Sequence, residues 1–139
     1  MTSTPRFAGR RALVTGASRG IGAGIARRLA AEGADVAIVA RTAKRHPTLP
    51  GSLLATARAM ESSGGNVVRI VADLADQSDH ERIIAEATEG LGGPIEILVN
   101  NAAAAIYQPM ADYPARRIRL TMAVNVEAPF ALMRGSSQR

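Results

Sequence analysis

The stretch Ala12-Leu13-Val14-Thr15-Gly16-Ala17-Ser18-Arg19-Gly20-Ile21-Gly22 constrains this chain most, because an apolar run stops at a glycine cluster and a helical pattern begins at once. It reads as a strand, a tight turn and a helix start. Ile21, Ile25 and Leu29 recur every fourth residue and predict one apolar stripe, with Ala26 and Ala30 beside it and Arg27, Arg28 and Glu32 off it. Gly33 is expected to end that helix as a left-handed cap. A second apolar run, Val36 to Val39, follows within a few residues. A strand-helix-strand unit this compact crosses over into a parallel sheet, which puts the glycine turn at the sheet's carboxyl edge.

Such a turn suits phosphate. Glycine leaves no Cβ between backbone and ligand, and the first N–H groups of a helix lack intrahelical acceptors and sit at the positive end of its dipole. Gly16, Ser18, Arg19, Gly20, Ile21 and Gly22 are therefore candidate pyrophosphate contacts. The spacing is Thr-Gly-x-x-x-Gly-x-Gly and not the Gly-x-Gly-x-x-Gly of the standard dinucleotide fingerprint. A structural alternative stands beside it: the glycines could serve only close helix-sheet packing.

Composition narrows the function classes. A length of 139 residues with 47% hydrophobic content suits one domain with one core. No uncharged apolar stretch approaches the roughly 20 residues that span a bilayer, and the N-terminus has no signal-peptide pattern, so a cytoplasmic protein without membrane partners is expected. The absence of cysteine excludes disulfides and thiolate chemistry, and His46 and His80 lie in unrelated contexts. No metal site is expected, and both histidines are read as solvated surface residues. The net charge of +5 raises nucleic-acid binding, but the arginines are dispersed and aromatics make up only 3% of the chain, so that partner is not expected. A basic surface still steers phosphate-rich small ligands.

Residues 1 to 10 carry no periodicity and are expected to fray. The second strand ends in Ala40-Arg41. A carboxylate at that position would take ribose hydroxyls and repel a 2'-phosphate, whereas Arg41, with Arg19 in the turn, attracts one; the pattern favours NADP(H) over NAD(H). Either arginine could instead be a solvated loop side chain. Thr42 to Gly51 form an irregular, insertion-like loop. Ser52 then caps a helix carrying Leu53, Leu54, Ala57 and Met60, stopped at Gly64-Gly65. Val67 to Ala72 form a third strand ending in Asp73-Leu74, where Asp73 can accept from an adenine amino group or cap the next segment. Ser78-Asp79-His80-Glu81 reads as a capping box for a helix through Ile83, Ile84, Ala87 and Leu91, closed by Gly92-Gly93-Pro94. Ile95 to Val99 form a fourth strand before Asn100-Asn101-Ala102-Ala103, whose amides can fix a loop or hold a ribose. Asp112 is expected to cap the last helix, with Ile118, Met122 and Val126 as its stripe. Pro129 lacks the N–H that the Asn125 carbonyl would receive, leaving a carbonyl able to hold water or a simple bend.

Taken together these residues resemble the short-chain dehydrogenase/reductase family over essentially the whole chain. Thr15 to Gly22 match its cofactor motif, Asp73-Leu74 its adenine position, Asn100-Asn101-Ala102 its Asn-Asn-Ala-Gly segment with Ala103 replacing the glycine, and Asn125 its helix asparagine. The loop from Arg41 through His46-Pro47-Thr48-Leu49-Pro50-Gly51 looks like that of a subgroup typified by hydroxysteroid-dehydrogenase-like protein 2. The resemblance implies an α/β fold, a Rossmann-type doubly wound parallel sheet, here truncated to about four strands with flanking helices. It also implies hydride transfer between a nicotinamide and an alcohol or carbonyl substrate, using a Ser, a Tyr and a Lys, with the asparagine holding a relay water.

The chain departs from that set. Its tyrosines are Tyr107 and Tyr113 and its single lysine is Lys44, so no Tyr-x-x-x-Lys exists, and Tyr113-Pro114-Ala115-Arg116-Arg117 precedes the helix asparagine and offers arginine for lysine. Asn125 alone is carried over as a candidate catalytic residue, and Gly16, Ser18, Arg19, Gly20, Ile21, Gly22, Arg41, Asp73, Leu74, Asn100 and Ala102 as candidate cofactor contacts. Residues 1–139 are thus expected to form a single, incomplete NAD(P)-binding Rossmann domain, inactive alone, whose bare fourth strand promotes self-association. The alternative is a non-catalytic dinucleotide-binding or interaction module.

Overall fold

A computed structural model describes residues 4–138. Four parallel strands form one sheet in the order β3-β2-β1-β4, where β1 is Arg11–Thr15, β2 Asp35–Ala40, β3 Val67–Val71 and β4 Ile97–Val99. Arg11 pairs with Asp35, Val36 with Val67 and Ala12 with Ile97, so β1 is flanked on both sides. Strands buried on both faces read as continuous apolar runs, which is why Leu13, Val14, Val36, Ile38 and Val39 are almost fully buried.

The pleat sends alternate side chains to opposite faces, and each face carries its own core. Ala12, Val14, Val36 and Ile38 pack under α1 (Gly20–Ala31) and α2 (Leu53–Glu61), with Leu29, Leu53 and Met60. Leu13, Ala37, Val39 and Ile70 pack under α3 (Gln77–Leu91) and α5 (Ala128–Ser136), with Ile83, Leu91 and Leu132. Helices on both faces of a parallel sheet make the doubly wound, Rossmann-type arrangement expected. No helix among the described residues is long and apolar enough to cross a membrane.

Several local expectations are corrected. The buried face of α1 is Gly22, Ala23, Ala26, Leu29 and Ala30, whereas Ile21 is 76% exposed. Leu29 and, in part, Ile25 keep their place on the core, but Ile21 does not, and the small residues Gly22, Ala23 and Ala26 face the sheet instead because they let the helix approach closely. The lead-in is anchored: the Phe7 N–H donates to the Glu32 carbonyl at 2.9 Å, Arg6 pairs with the Glu32 carboxylate, and the Phe7 ring packs on the core. Residues 1–3 lie outside the described residues.

Asp76, not Ser78, caps α3, accepting from the Ser78 N–H at 2.9 Å and the Ser78 hydroxyl at 2.7 Å. A carboxylate two residues earlier is the stronger acceptor for the helix N-terminus. His80 is buried, and its Nε2 lies 2.9 Å from the Leu74 carbonyl. The fourth strand is Ile97–Val99, shorter than the expected Ile95 to Val99; just before it Ile95 is buried and the Glu96 N–H bonds to the Arg11 carbonyl of β1.

The last helix is three joined pieces: α4 (Ala115–Met122), a π-helical segment Ala123–Glu127, and α5. Asp112 lies in a separate 3-10 turn, Met110–Asp112, and makes no side-chain cap; Pro114 precedes α4. The expected stripe is exposed, with Ile118, Met122 and Val126 about half accessible, and Ala128 and Leu132 provide the buried contact instead. Pro129 sits where the π-turn returns to α, so its missing N–H is absorbed by a widened turn and not by a plain bend.

Candidate functional site

The carboxyl ends of all four strands lie along one sheet edge, and each delivers a candidate residue. In spatial order these are Asp73 after β3, Arg41 after β2, the glycine turn after β1 and Asn100 after β4. Ligands of open parallel sheets bind at this edge, where the connections leave to opposite faces.

The turn is held by contacts that explain two of its glycines. Gly16 has φ +65°, and a Cβ on it would come within 2.9 Å of the Ala102 Cα and the Asn101 Nδ2. A Cβ on Gly22 would overlap the Gly16 carbonyl oxygen and the Asn101 Nδ2. Gly20 differs: its φ is +57°, yet nothing lies within 4 Å of its Cβ position. Close packing accounts for Gly16 and Gly22, while Gly20 presents bare backbone to open space at the start of α1.

Among the described residues, the N–H groups of Ser18, Arg19, Gly20, Ile21 and Gly22 find no acceptor, and the first to do so is Ala23, bonded to the Arg19 carbonyl at 3.2 Å. The buried Arg19 Nε also lacks a partner. An unsatisfied buried donor beside a row of unsatisfied N–H groups fits an anion with several acceptor oxygens. Arg41 is exposed immediately beyond β2. The residues present therefore fit the phosphates of a dinucleotide, with Ser18 to Gly22 as the cradle and Arg19 and Arg41 as the cationic flank.

Asn101, which sequence reasoning passed over in favour of Asn100, is the residue that builds the turn. Its Nδ2 donates to the Thr15 carbonyl at 3.1 Å and to the Gly16 carbonyl at 3.2 Å. The Thr15 hydroxyl in turn accepts the N–H groups of Asn101 at 3.2 Å and Ala102 at 3.1 Å. Ala102 packs its methyl toward the core under α3 and α5. Asn100 is exposed, and among the described residues its amide makes no hydrogen bond. Spacing alone cannot tell which member of an Asn pair turns inward.

Asp73 is exposed, with Oδ1 accepting the Ala75 N–H at 2.9 Å and its own N–H donating to Asp79 Oδ2 at 2.7 Å. That N–H and then the Arg82 guanidinium hold the Asp79 carboxyl below the usual carboxylate range. One Asp73 oxygen thus turns the following backbone, and among the described residues the other makes no hydrogen bond. Leu74 points inward and is buried. The Asn125 side chain is clipped to one residue, its Oδ1 accepting the Ala104 N–H and its Nδ2 donating to the Ala104 carbonyl, both at 2.8 Å. The described residues contain no group of three or more His, Asp or Glu side chains suited to a metal ion.

Comparison with known proteins agrees with this geometry. The family model for short chain dehydrogenase matches residues 10–138. Over 130 residues the chain is 38% identical to hydroxysteroid dehydrogenase-like protein 2 of Rattus norvegicus, covering 94% of this chain and 25% of that protein. A short chain dehydrogenase from Burkholderia cenocepacia, solved in complex with NADP, is 36% identical with a TM-score of 0.88, over 96% of this chain and 52% of its own. A metagenomic short-chain oxidoreductase, also solved with NADP, is 32% identical with a TM-score of 0.82, over 93% of this chain and 55% of its own. The chain thus spans 25% to 31% of the length of the curated relatives it matches. With the fold, the turn and these matches in agreement, the chain belongs to the short-chain dehydrogenase family.

Proposed function

We propose that this chain is the NADP(H)-binding part of a short-chain oxidoreductase acting on an alcohol or carbonyl substrate. The observation that carries the reading is the row Asp73, Arg41, glycine turn and Asn100 along one sheet edge, with unpaired N–H groups and the orphaned Arg19 Nε at its centre. In this reading Ser18 to Gly22 take the pyrophosphate, Arg19 and Arg41 take the 2'-phosphate, Asp73 accepts from the adenine amino group, and Asn100 and Ala102 border the ribose. The nicotinamide, when bound, would supply hydride to a carbonyl or take it from an alcohol. The Asn125 side chain, clipped to Ala104, ties the middle of the last helix to the chain after β4, which leaves its main chain as the group for a relay water.

With one lysine and no Tyr-x-x-x-Lys, the chain by itself lacks the family's proton-transfer pair, and its own role ends at cofactor binding. The same observation favours a second reading, a dinucleotide-binding module without catalysis. Self-association is part of the proposal: among the described residues β4 pairs with β1 alone, and Val126, Phe130 and Met133 are each about half exposed or more.

Titration calorimetry with NADPH and NADH tests the assignment. Hydrogen bonds to a charged phosphate are worth about 1.5–3 kcal/mol, so NADPH is expected to bind about tenfold to a hundredfold more tightly. No heat with either cofactor on folded protein refutes the site, and equal affinities refute the role of the arginines. NADPH oxidation with carbonyl substrates by the chain alone would refute its inactivity.

A further inference from the structure

The insertion-like loop between β2 and α2 is tied to the glycine turn at several points. Its near end is closed by the Leu54 N–H bonding to the Ala43 carbonyl at 3.3 Å. Its far end is Gly51, with φ +87°, where a Cβ would stand 2.7 Å from the Ser18 carbonyl oxygen and 3.1 Å from the Arg19 Cβ. Gly51 is thus the point at which the loop backbone lies against the stem of Arg19. One turn into α2, the buried Thr56 hydroxyl donates to the Ala17 carbonyl at 2.8 Å and also lies 3.1 Å from the Ser52 carbonyl. The Ala17 N–H is bonded from the opposite side to the Val39 carbonyl at 3.1 Å. Ala17 is therefore gripped from both β2 and α2, and the next two residues, Ser18 and Arg19, rest on Gly51.

We infer that Gly51 and Thr56 are positioning residues for the 2'-phosphate, seating the loop on the glycine turn so that the Arg19 guanidinium is held ready in one orientation. This rests on the NADP(H) reading above and adds to it a reason why the loop matters. An arginine carries large rotamer freedom, and a brace against its stem removes part of the ordering cost of binding. The unpartnered Arg19 Nε agrees, since a buried donor held away from every protein acceptor is set for an acceptor that arrives with the ligand. Neither Gly51 nor Thr56 touches the cofactor in this account.

The test compares the full chain with Gly51→Ala, Thr56→Val and Thr56→Ser, measuring affinities for NADPH, NADH and 2',5'-ADP together with the melting temperature. Gly51→Ala forces the loop off the turn, and Thr56→Val leaves the Ala17 carbonyl without its donor. Loss of one charge-assisted contact predicts about tenfold weaker NADPH and 2',5'-ADP binding in both, with NADH changed by less than about twofold, and Thr56→Ser near the unmodified chain. A merely structural role would lower the affinities for both dinucleotides together or shift the melting temperature alone, and either result overturns the inference. Gly51 sits in an exposed loop, so its variant provides the answer even where Thr56→Val fails to fold. An unmodified chain without NADPH preference overturns the cofactor reading itself, whereas a preference that survives in the variants overturns only the brace.

Discussion

Replacing Gly22 by alanine and, separately, Gly24 by alanine isolates what the close approach of α1 to the turn contributes. Both residues lie in the first half of the same helix, and in an ordinary helix each change gains about 0.5–1 kcal/mol from backbone entropy. Gly24 has nothing within 4 Å of its Cβ position, so it should realise that gain. At Gly22 the added carbon overlaps the Gly16 carbonyl oxygen and the Asn101 Nδ2 and stands 2.9 Å from the Gly16 carbonyl carbon. Overpacking costs about 1–3 kcal/mol. Displacing the Asn101 amide also weakens its bonds to the Thr15 and Gly16 carbonyls, each worth about 1 kcal/mol. The net for Gly22→Ala is a loss of about 2–4 kcal/mol, or about 8–16 °C at roughly 4 °C per kcal/mol for a domain of this size. Gly24→Ala should raise the melting temperature by about 2–4 °C. Thermal unfolding followed by circular dichroism measures both. Shifts of the same sign, or a neutral Gly22→Ala, would refute the argument that helix, turn and Asn101 are locked by direct contact.

Two further outcomes follow from contacts described above. Thr15→Val removes the acceptor of the Ala102 N–H and one of the two acceptors of the Asn101 N–H and should cost about 1–3 kcal/mol, read as a lower denaturant midpoint at unchanged slope, while Thr15→Ser should retain most of it. Glu32, hydrogen-bonded by Arg6 and then Arg28, has its carboxyl lowered to about 2 from an ordinary 4.5. A depressed folded pKa gives stability that is present above about 4.5 and lost as pH falls toward 2, so Arg6→Ala should flatten that acid limb in a pH-dependent melting series.

The sequence conveyed the framework because the framework rests on local chemistry. Apolar runs bounded by glycine mark β1 and β2, Ser52 and Gly92 cap helices where expected, and the order of strand ends follows once the sheet is parallel. What stayed hidden depends on residues distant in the chain. Ile21 fits a helical stripe as well as Ala23 does, and only the sheet beneath decides which faces inward. His80 looks polar until Leu74 offers its carbonyl, and Asn101 is distinguished from Asn100 only by the presence of Thr15 and Gly16. The π-turn at Ala123–Glu127 has a local cause in Pro129, but proline signals a break without saying how the chain repairs it.

The interior place of β1 has a bearing on how the sheet is assembled. This strand is the earliest of the four to leave a ribosome, and one of its flanks is covered as soon as β2 follows. Its other flank stays bare until Ile97 to Val99 have been made, after three helices and two strands have intervened. Closing the longer gap adds only about 1 kcal/mol of chain entropy, since each doubling of a loop costs about 0.6 kcal/mol. Delay, not free energy, is what this topology imposes on its central strand.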